Sequence, residues 1–404
     1  MQRITIVGAS LAGVHAAQTL RRQDFDGDVV LVGDETHYPY DRPPLSKELL
    51  VGPYDDAKLR LRPAAEPEQL GVEWKLGTAA VGLELAASGG TVRLDDGSTV
   101  AADGVIIATG ARPRSLPAAG GMSGVHLLRT VDDARALKAD LERVPNRVAV
   151  VGCGFIGAEV AASARTRGLD VTIIEAAPAP LMRVLDEESG MAVADLHRSH
   201  GVDVRLGVGV SRFAADDDGA VTAVELEDGT VIDASVVVIG IGVVPNTEWL
   251  DGSGLTLDDG VVTDETCLAA PGVVAVGDVA RWPNQRFAGS LTRVEQWDNA
   301  VEMGGYGAKR LLAAAAGDEI EPFAPVPWFW SDQYDRKIQL AGVPSPNVEL
   351  IQGSHAEHRF VQIYLTDDGD VTGALCWNRP RQAILARQYI ASGSPVADVR
   401  EALG

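Results

Sequence analysis

Ile4–Gly13, with the sequence ITIVGASLAG, is the stretch that decides the fold of this chain. Its first four residues predict a buried strand, its glycines predict a tight turn, and Val14–Arg22 then has a helical pattern. A second apolar strand, Val29–Val32, ends in Gly33–Glu35, so that an acid lies about 20 positions beyond the last glycine of the turn. This order of strand, glycine turn, helix and acid-ended strand is typical of a dinucleotide-binding unit.

The glycine turn has a specific physical purpose in such a unit. One glycine allows the tight turn, a small second residue lets the backbone approach a pyrophosphate, and the helix N-terminus faces the phosphates. Ser10 stands where the pattern has its second glycine; serine is small, and its hydroxyl can donate a hydrogen bond to phosphate. We predict that the first dinucleotide contacts Gly8, Ser10, Leu11, Ala12 and Gly13, and that its ribose binds Asp34 or Glu35.

A second unit of the same kind follows. The strand Val148–Val151 leads into Gly152–Gly157, GCGFIG, and then into a helical stretch from Ala158 to Arg167. The next strand, Val171–Ile174, is followed by Glu175, which lies 18 residues after Gly157, as a ribose contact requires. A carboxylate there repels a 2′-phosphate, so NADH is favoured over NADPH, although the nearby Arg183 leaves the strictness of that preference open. The predicted contacts are Gly152, Gly154, Phe155, Ile156, Gly157, Glu175 and Arg183.

The presence of two such motifs in one chain is more informative than either alone. Gly8 and Gly152 are 144 residues apart, which places each motif in its own domain. Two dinucleotides in one protein indicate that one carries a hydride and the other receives it. That combination points to a flavin working with a nicotinamide.

Length and composition limit the number of domains and the class of protein. The 404 residues predict two or three domains, and a net charge of −22 argues against a nucleic-acid-binding protein. No apolar run approaches the roughly 20 residues that span a bilayer, and the chain enters its first strand at once, so we expect no signal peptide. Cys153, Cys267 and Cys376 are far apart and form no CxxC pair, which predicts reduced, structural cysteines in a cytoplasmic protein.

Four further segments carry a resemblance to a known family: Asp41–Lys47 (DRPPLSK), Ile106–Pro113 (IIATGARP), Val274–Asp278 (VAVGD) and Trp328–Asp332 (WFWSD). With the paired glycine motifs, they resemble the NADH-dependent ferredoxin reductases of oxygenase systems, of the putidaredoxin reductase and biphenyl dioxygenase reductase type. Apoptosis-inducing factor is a more distant relative of that group. The resemblance covers essentially the whole chain.

The resemblance implies an α/β fold of the glutathione-reductase type. Two Rossmann-like dinucleotide-binding domains, for FAD (1–112 and 241–320) and NAD (113–240), would be followed by a C-terminal α+β domain (321–404). The residues agree with this division, because Val236–Gly242 has the pattern of an apolar strand and Glu321–Pro327 is a proline-rich linker.

The C-terminal segment has its own pattern. Alternation in Phe360–Leu365 and Val371–Trp377 predicts an antiparallel sheet, and Arg381–Ser392 is predicted to be helical.

The resemblance also implies roles for individual residues. Arg42 and Lys47 would supply positive charge beside the flavin, and Glu159 would pair with Lys47 where the nicotinamide meets the flavin. The alternative for Glu159 is a solvated helix residue. Asp278 would hold the ribityl chain or a phosphate-side hydroxyl, and Asp34 is preferred to Glu35 as the FAD ribose acid.

Other residues are assigned by the same resemblance. Arg129 would lie near FAD, or else pair with a helix acid. Trp297 and Trp330 would face the flavin, or else pack in the core. The remaining predicted cofactor contacts are Val81, Ala108, Thr109, Gly110, Gly242, Gly277, Glu295 and Gln296.

The absence of redox cysteines after the first unit limits the types of reaction that the chain can catalyse. Disulfide reductases of this fold need a Cys-x4-Cys pair after the first unit, and NADH peroxidases need a single redox cysteine there, whereas this chain has Pro43–Lys47. Electrons must therefore leave directly from the flavin. No cysteine spacing predicts an iron–sulfur cluster in this chain, and no metal site is expected, so the one-electron partner is a separate small protein.

By resemblance that partner is a [2Fe–2S] ferredoxin supplying a cytochrome P450 or a Rieske-type ring-hydroxylating oxygenase. Ferredoxins are usually acidic, so docking on this acidic chain needs a local basic patch, for which Lys309-Arg310 and Arg336-Lys337 are candidates. Three alternatives stay open. They are a rubredoxin reductase, a membrane-peripheral NADH:quinone reductase anchored by the weakly suited helix Arg381–Ser392, and a redox-sensing protein related to apoptosis-inducing factor.

Overall fold

The computed structural model describes residues 1–61, 66–143 and 147–404. Within it the chain forms two compact units. The first unit comprises Met1–Asp41, Asp56–Arg112 and Val244–Pro327. The second unit comprises Arg42–Asp55, Pro113–Val243 and Trp328–Gly404.

The helices of the described residues are, in chain order, α1 Leu11–Arg22, α2 Glu48–Val51, α3 Val131–Glu142, α4 Phe155–Thr166, α5 Glu187–Ser199, α6 Trp297–Ala316, α7 Pro380–Ser392 and α8 Val396–Leu403. The strands are β1 Arg3–Val7, β2 Asp28–Gly33, β3 Glu73–Leu76, β4 Ala80–Leu85, β5 Gly90–Leu94, β6 Thr99–Ala102, β7 Gly104–Ile107, β8 Ala111–Pro113, β9 Val125–His126, β10 Val148–Val151, β11 Val171–Glu175, β12 Asp203–Leu206, β13 Val210–Ala215, β14 Val221–Leu226, β15 Val231–Asp233, β16 Val236–Ile239, β17 Val243–Pro245, β18 Val261–Val262, β19 Leu268–Ala270, β20 Val273–Ala275, β21 Ala280–Asn284, β22 Ser290–Thr292, β23 Trp328–Gln333, β24 Arg336–Gly342, β25 Asn347–Ser354, β26 Arg359–Leu365 and β27 Val371–Trp377.

A largely parallel sheet forms the centre of the first unit. Its strand order is β19-β20-β7-β1-β2-β3, and β1 lies between its parallel neighbours β2 and β7. Ile4, Thr5 and Ile6 of β1, whose side chains alternate between the two faces, are fully buried, as expected for a strand in the middle of a parallel sheet that is covered on both faces. Helix α1 begins at Leu11 rather than at the predicted Val14, because Val14 N already donates to Ser10 O at 2.9 Å.

The second unit repeats this arrangement. Its five-stranded sheet has the order β12-β11-β10-β16-β9, and every pairing in it is parallel. The two glycine motifs even share a register, because Val151 pairs with Ile174 just as Val7 pairs with Val32. Helix α4 begins at Phe155, three residues before the predicted Ala158, so the last glycine of the motif lies inside the helix.

The second unit also contains an antiparallel sheet made by the C-terminal segment. Its order is β23-β24-β27-β26-β25, which confirms the antiparallel sheet predicted from alternation. Phe360 and Trp377 face each other across β26 and β27 and are fully buried. Helix α7 covers this sheet and ends at Ser392, because the following Gly393, with a φ of +62°, stops the helix. Parallel sheets with flanking helices and this added sheet confirm the predicted α/β fold class.

Two simpler expectations concern the cysteines and the membrane. Cys153, Cys267 and Cys376 are free and buried. Burial also raises the pKa of the Cys376 thiol to about 12. Within the parts of the chain that the structure describes, no helix has the length and hydropathy to cross a bilayer.

Candidate functional site

The first glycine turn is closed against strand β7. Gly8 has a φ of +122°, and a Cβ added to it would lie 2.1 Å from Ala108 O, so a side chain fits neither the conformation nor the space. Ala108 N donates to Val7 O at 2.7 Å, which holds the ends of β1 and β7 together. Thr109 continues this edge and exchanges hydrogen bonds with Asn246. Predicted contacts from two distant segments therefore meet at one edge of the sheet.

Helix α1 presents an N-terminus suited to an anion. Its N-cap, Ser10, makes no side-chain capping bond, and the first turn contains no acid. Helix α3 differs, since Thr130 and Asp133 form a capping box at its start. Because the Ser10 side chain does not cap the first-turn amides of α1, they can serve a pyrophosphate.

Two more predicted residues come close to this helix within the first unit. Gly277 has a φ of +72°, and a Cβ added to it would lie 3.1 Å from the Ala12 methyl, so the Gly277-Asp278 turn abuts the start of α1. Asp278 is half-buried, and its carbonyl accepts a hydrogen bond from Arg293 at 3.2 Å. The turn thus brings a carboxylate to the region of the helix N-terminus.

The start of α6 carries the remaining predicted contacts of the first unit. Glu295 pairs with Arg293 at 2.5 Å, and Trp297 Nε1 donates to Asp41 Oδ1 at 2.7 Å. Gln296 Oε1 is buried and receives no hydrogen bond within the described residues. Buried acceptors normally have a donor, so this atom fits a bound group that supplies one.

The position predicted for the ribose acid is the least regular part of the first motif. Gly8 N bonds Val32 O and Gly152 N bonds Ile174 O, so Gly33 occupies the position that Glu175 has in the second motif. A side chain at Gly33 would collide with Ala9, whose methyl lies 2.5 Å from an added Cβ. The acid must therefore come from later in the chain.

Asp34 and Glu35 both remain candidates for that acid. Asp34 is exposed, whereas the Glu35 carboxylate accepts a hydrogen bond from the Tyr40 hydroxyl. The preference for Asp34 stays a prediction.

The second glycine turn has the same construction with more open space. Gly152 has a φ of +93°, and a Cβ on it would lie 2.5 Å from Gly240 O. At Gly154 the nearest atom to an added Cβ is 3.7 Å away, so the space in front of this N-cap is open. Helix α4, like α1, has neither a side-chain cap nor an acid in its first turn. The turn therefore fits a second pyrophosphate.

Glu175 is held rigidly at the end of β11. Its carboxylate accepts hydrogen bonds from Cys153 N at 2.7 Å and from Ala177 N at 2.8 Å. Arg183 is exposed, and its Nη1 lies 2.8 Å from the position of a Cβ on Gly242. The second unit thus contains both predicted charged groups: the fixed carboxylate of Glu175 beside the glycine turn, and Arg183 beside Gly242.

Lys47 and Glu159 form a buried ion pair in the second unit, as the resemblance implied. Lys47 Nζ lies 2.9 Å from Glu159 Oε2, and the two side chains are only 12% and 4% exposed. Ser46 Oγ donates to the same carboxylate oxygen at 2.5 Å, and Ser331 Oγ donates to Oε1 at 2.8 Å. The alternative of a solvated helix residue is therefore wrong for Glu159.

The other predicted residues lie in varied surroundings. Arg42 Nη1 donates to the carbonyl of Arg129 at 2.7 Å, which joins two predicted contacts. Trp330 alternates with buried Phe329 and Ser331 along β23, so its ring lies on the sheet face opposite to the Ser331–Glu159 contact. Phe155 packs on Phe329 at a centroid distance of 4.3 Å. Some predicted contacts are solvent-exposed or lie on flanking loops: Val81, Ile156 and Gly110.

Sequence reasoning missed the serines around Glu159. Ser163 lies one turn after Glu159 on α4, and its hydroxyl donates to the carbonyl of Ser46 at 2.7 Å. That spacing of four residues was the available signal, since such residues share a helix face. Ser331 had no such signal, because it is 172 residues away from Glu159.

Comparison with known proteins establishes the family. The model of the family described as pyridine nucleotide-disulphide oxidoreductase matches residues 2–304, and that of a reductase C-terminal domain matches residues 328–402. The chain therefore belongs to the pyridine nucleotide-disulphide oxidoreductase family.

Individual relatives are similar over nearly the whole chain. Rhodocoxin reductase of Rhodococcus erythropolis is 39% identical over 97% of this chain and 90% of its own length. The ferredoxin–NAD+ reductase component of the p-cumate 2,3-dioxygenase system of Pseudomonas putida is 37% identical, covering 98% of this chain and 95% of its own. Among solved structures, the covalent putidaredoxin reductase–putidaredoxin complex matches with a TM-score of 0.90 and 35% identity, over 98% of this chain and 94% of that one. The predicted resemblance is thereby confirmed.

Proposed function

We propose that this chain is an FAD-dependent NADH:ferredoxin reductase, which passes electrons to a [2Fe–2S] ferredoxin supplying a cytochrome P450 or a Rieske-type oxygenase. One observation carries the proposal. The chain has two uncapped glycine-turn helices for dinucleotides, and the segment Asp41–Lys47 lacks the cysteines that a disulfide reductase needs. Relatives named as ferredoxin–NAD+ reductase components support it.

FAD is assigned to the first unit. The backbone of Gly8–Gly13 and the N-terminus of α1 would hold its pyrophosphate, with Asp278 and Gln296 as further polar contacts. The bound FAD would supply a hydride acceptor for NADH and a donor of single electrons. The buried, unsatisfied Gln296 Oε1 supports this assignment, because a ligand donor would satisfy it.

NADH is assigned to the second unit. The open space at Gly154 and the N-terminus of α4 would receive its pyrophosphate, and Glu175 would accept from the adenosine ribose. The two backbone amides that hold the Glu175 carboxylate keep it in one orientation. A fixed negative charge at this point disfavours a 2′-phosphate, so NADH is the preferred donor over NADPH.

The role of the ion pair follows from its burial. Glu159 holds the Lys47 ammonium in one position through a 2.9 Å contact in a site that excludes most water. Following the resemblance, we assign this pair to the place where nicotinamide meets flavin. A fixed cation there stabilises negative charge that develops on hydride transfer, and burial makes its field stronger than in water.

The partner is assigned by the same proposal. Two basic patches were predicted. In the Arg336-Lys337 patch, Arg336 pairs with Asp335 at 2.8 Å and Lys337 pairs with Asp332 at 2.6 Å, so both positive charges are balanced locally. Lys309 is exposed on α6 and has no ion pair within the described residues. We therefore favour the Lys309 region as the docking patch for an acidic ferredoxin.

The domain bounds and the location of the protein are part of the proposal. The FAD domain is assigned to 1–112 and 241–320, the NAD domain to 113–240, and the C-terminal domain to 321–404. A cytoplasmic location is proposed on the reduced cysteines. A rubredoxin reductase and a redox-sensing protein are the alternatives that the experiment below must separate.

The experiment uses the purified full-length chain. We expect a yellow protein whose flavin absorbance bleaches on addition of NADH, and more slowly with NADPH. With a [2Fe–2S] ferredoxin and cytochrome c, NADH should support rapid cytochrome reduction. Substituting a rubredoxin for the ferredoxin should give slower reduction. A colourless protein, or bleaching without turnover by any carrier, would overturn the proposal.

A further inference from the structure

Beyond the ion pair, a line of buried polar side chains continues from Glu159. Ser331 and Gln333, two residues apart on β23, and His197 of α5 are all fully buried. Burying polar groups is costly unless each is hydrogen-bonded, so a buried polar line needs a specific arrangement of its donors. Apolar residues, among them Leu196 of α5 and Phe329 of β23, form a buried cluster in the same unit.

The direction of each hydrogen bond in this line is fixed by chemistry. The Glu159 carboxylate, paired with Lys47, can only accept, so Ser331 Oγ donates to it at 2.8 Å. Ser331 Oγ in turn accepts from Gln333 Nε2 at 3.2 Å, which turns Gln333 Oε1 towards His197 Nε2 at 3.1 Å. His197 must therefore carry its proton on Nε2.

The far end of the line is consistent with this tautomer. A neutral imidazole that donates from Nε2 accepts at Nδ1, and the Tyr334 hydroxyl lies 3.0 Å from His197 Nδ1. Burial lowers the pKa of His197 to about 4, so the ring is neutral near pH 7. Every donor in the line thus points towards the Glu159 carboxylate, from the half-buried Tyr334 inwards.

We infer that His197 and Gln333 are positioning residues for Glu159, acting through Ser331. They fix the direction of the Ser331 hydroxyl, and that hydroxyl fixes the carboxylate plane that holds Lys47. Tyr334 completes the line as the donor to Nδ1 of the tautomer that Gln333 fixes, and His200 stacks on Tyr334 at 3.7 Å. The inference rests on the proposed function, in which the Lys47–Glu159 pair acts on hydride transfer.

The test compares Gln333→Leu with a matched control, Gln362→Leu. Gln362 is also a fully buried glutamine of the C-terminal sheet, and it accepts from a histidine, His355, at 2.9 Å. Its other bonds go to Asp186 and Tyr364, away from Glu159. Both variants lose similar bonds, so a general structural effect should appear in both, and only Gln333→Leu should affect Glu159.

The first measurement is the rate at which NADH bleaches the flavin in single-turnover experiments. We expect the limiting rate of Gln333→Leu to fall about tenfold, the factor that corresponds to one lost hydrogen bond, with little change in the Kd for NADH. Gln362→Leu should keep the wild-type rate. The double variant Glu159→Gln, Gln333→Leu should be no slower than Glu159→Gln alone, because Gln333 acts only through that carboxylate.

The second measurement does not depend on turnover. In ¹⁵N-histidine NMR spectra of the full chain, His197 should be the Nε2–H tautomer, and Gln333→Leu should shift that resonance. His197→Gln, which keeps a donor near the Nε2 position, should preserve the bleaching rate, whereas His197→Leu should lower it.

Any one of four results would overturn the inference. They are an Nδ1–H tautomer of His197, equal rate losses in Gln333→Leu and Gln362→Leu, no rate loss in either of these two variants, and additive rate losses in the double variant. A wild-type protein that NADH does not bleach would instead overturn the proposed function, and the tautomer would still be read independently.

Discussion

Acidification is expected to weaken the fold through a single buried histidine. Burial is the main cause that lowers the pKa of His197 from 6.5 to about 4; its bond to Gln333 opposes the shift, and nearby His200 adds to it. Below about pH 6.5 the unfolded chain binds a proton at this residue, whereas the folded chain does not until about pH 4. The contribution of neutral His197 to stability is therefore complete above pH 6.5 and is lost progressively as the pH falls to about 4.

The size of this loss can be worked from the same two values. A pKa of 6.5 in the unfolded chain and about 4 in the folded chain corresponds to about 3 kcal/mol of unfolding free energy. Burial also lowers the pKa of His358, which contributes to the pH dependence of stability in the same direction. A comparison of wild type with His197→Gln isolates the contribution of His197 to the pH dependence. The variant lacks the titrating imidazole, and its side-chain amide keeps a donor near the Nε2 position.

The assay is urea unfolding of both proteins, monitored by circular dichroism, at pH values from about 7 down to about 4.5. We expect the stability of wild type relative to His197→Gln to decline steadily across this range, by about 2 kcal/mol at its acid end. Identical pH dependence in the two proteins would refute the claim that His197 is held neutral by its buried site.

Three further predictions test the assigned sites. Gly154→Val should fold, because an added Cβ meets no atom closer than 3.7 Å. Its methyl groups would cover the α4 amides, so the Kd for NADH, measured by fluorescence titration, should rise about tenfold. An unchanged Kd would contradict the assignment of that helix end. Glu175→Gln removes the charge that repels a 2′-phosphate, so the ratio of kcat/KM for NADPH to that for NADH should rise about tenfold in steady-state assays, and a constant ratio would show that another residue sets the preference. Lys309→Glu should raise the KM for ferredoxin about threefold and leave NADH–ferricyanide activity unchanged, whereas equal losses in both assays would show that Lys309 is not part of the docking patch. Arg310 is left intact in this variant because its Nε donates to Thr266 at 2.7 Å.

The glycine motifs made much of the fold predictable. Their strands are short and apolar, and β10 begins and ends where the pattern placed it, at Val148 and Val151. Helix starts were less accurate, since α1 and α4 begin three residues earlier than predicted. The reason is local. In these motifs the last glycine lies within the first helical turn, while helical periodicity becomes visible only with the apolar residues that follow it.

The surroundings of Glu159 were not predictable in the same way. The resemblance implied its pairing with Lys47, but Ser331 and Gln333 come from a strand about 170 residues later, and strand alternation alone does not say which helix faces it. The FAD ribose acid shows a different limit. Spacing pointed to Asp34 and Glu35 together, and the steric block at Gly33 is visible only once β2 lies beside the turn.

Glu159 is the point at which three separate parts of the second unit meet. Lys47 comes from the segment Arg42–Asp55, Glu159 from α4 and Ser331 from β23. A buried ion pair is weak evidence of stabilisation, because well-packed apolar residues of similar volume are often as stable or more so. The cost of burying this pair, together with the polar line behind it, is thus poorly explained by stability alone. It is explained if a carboxylate of fixed direction and an ammonium of fixed position are needed for the reaction, because a water-exposed pair would provide neither.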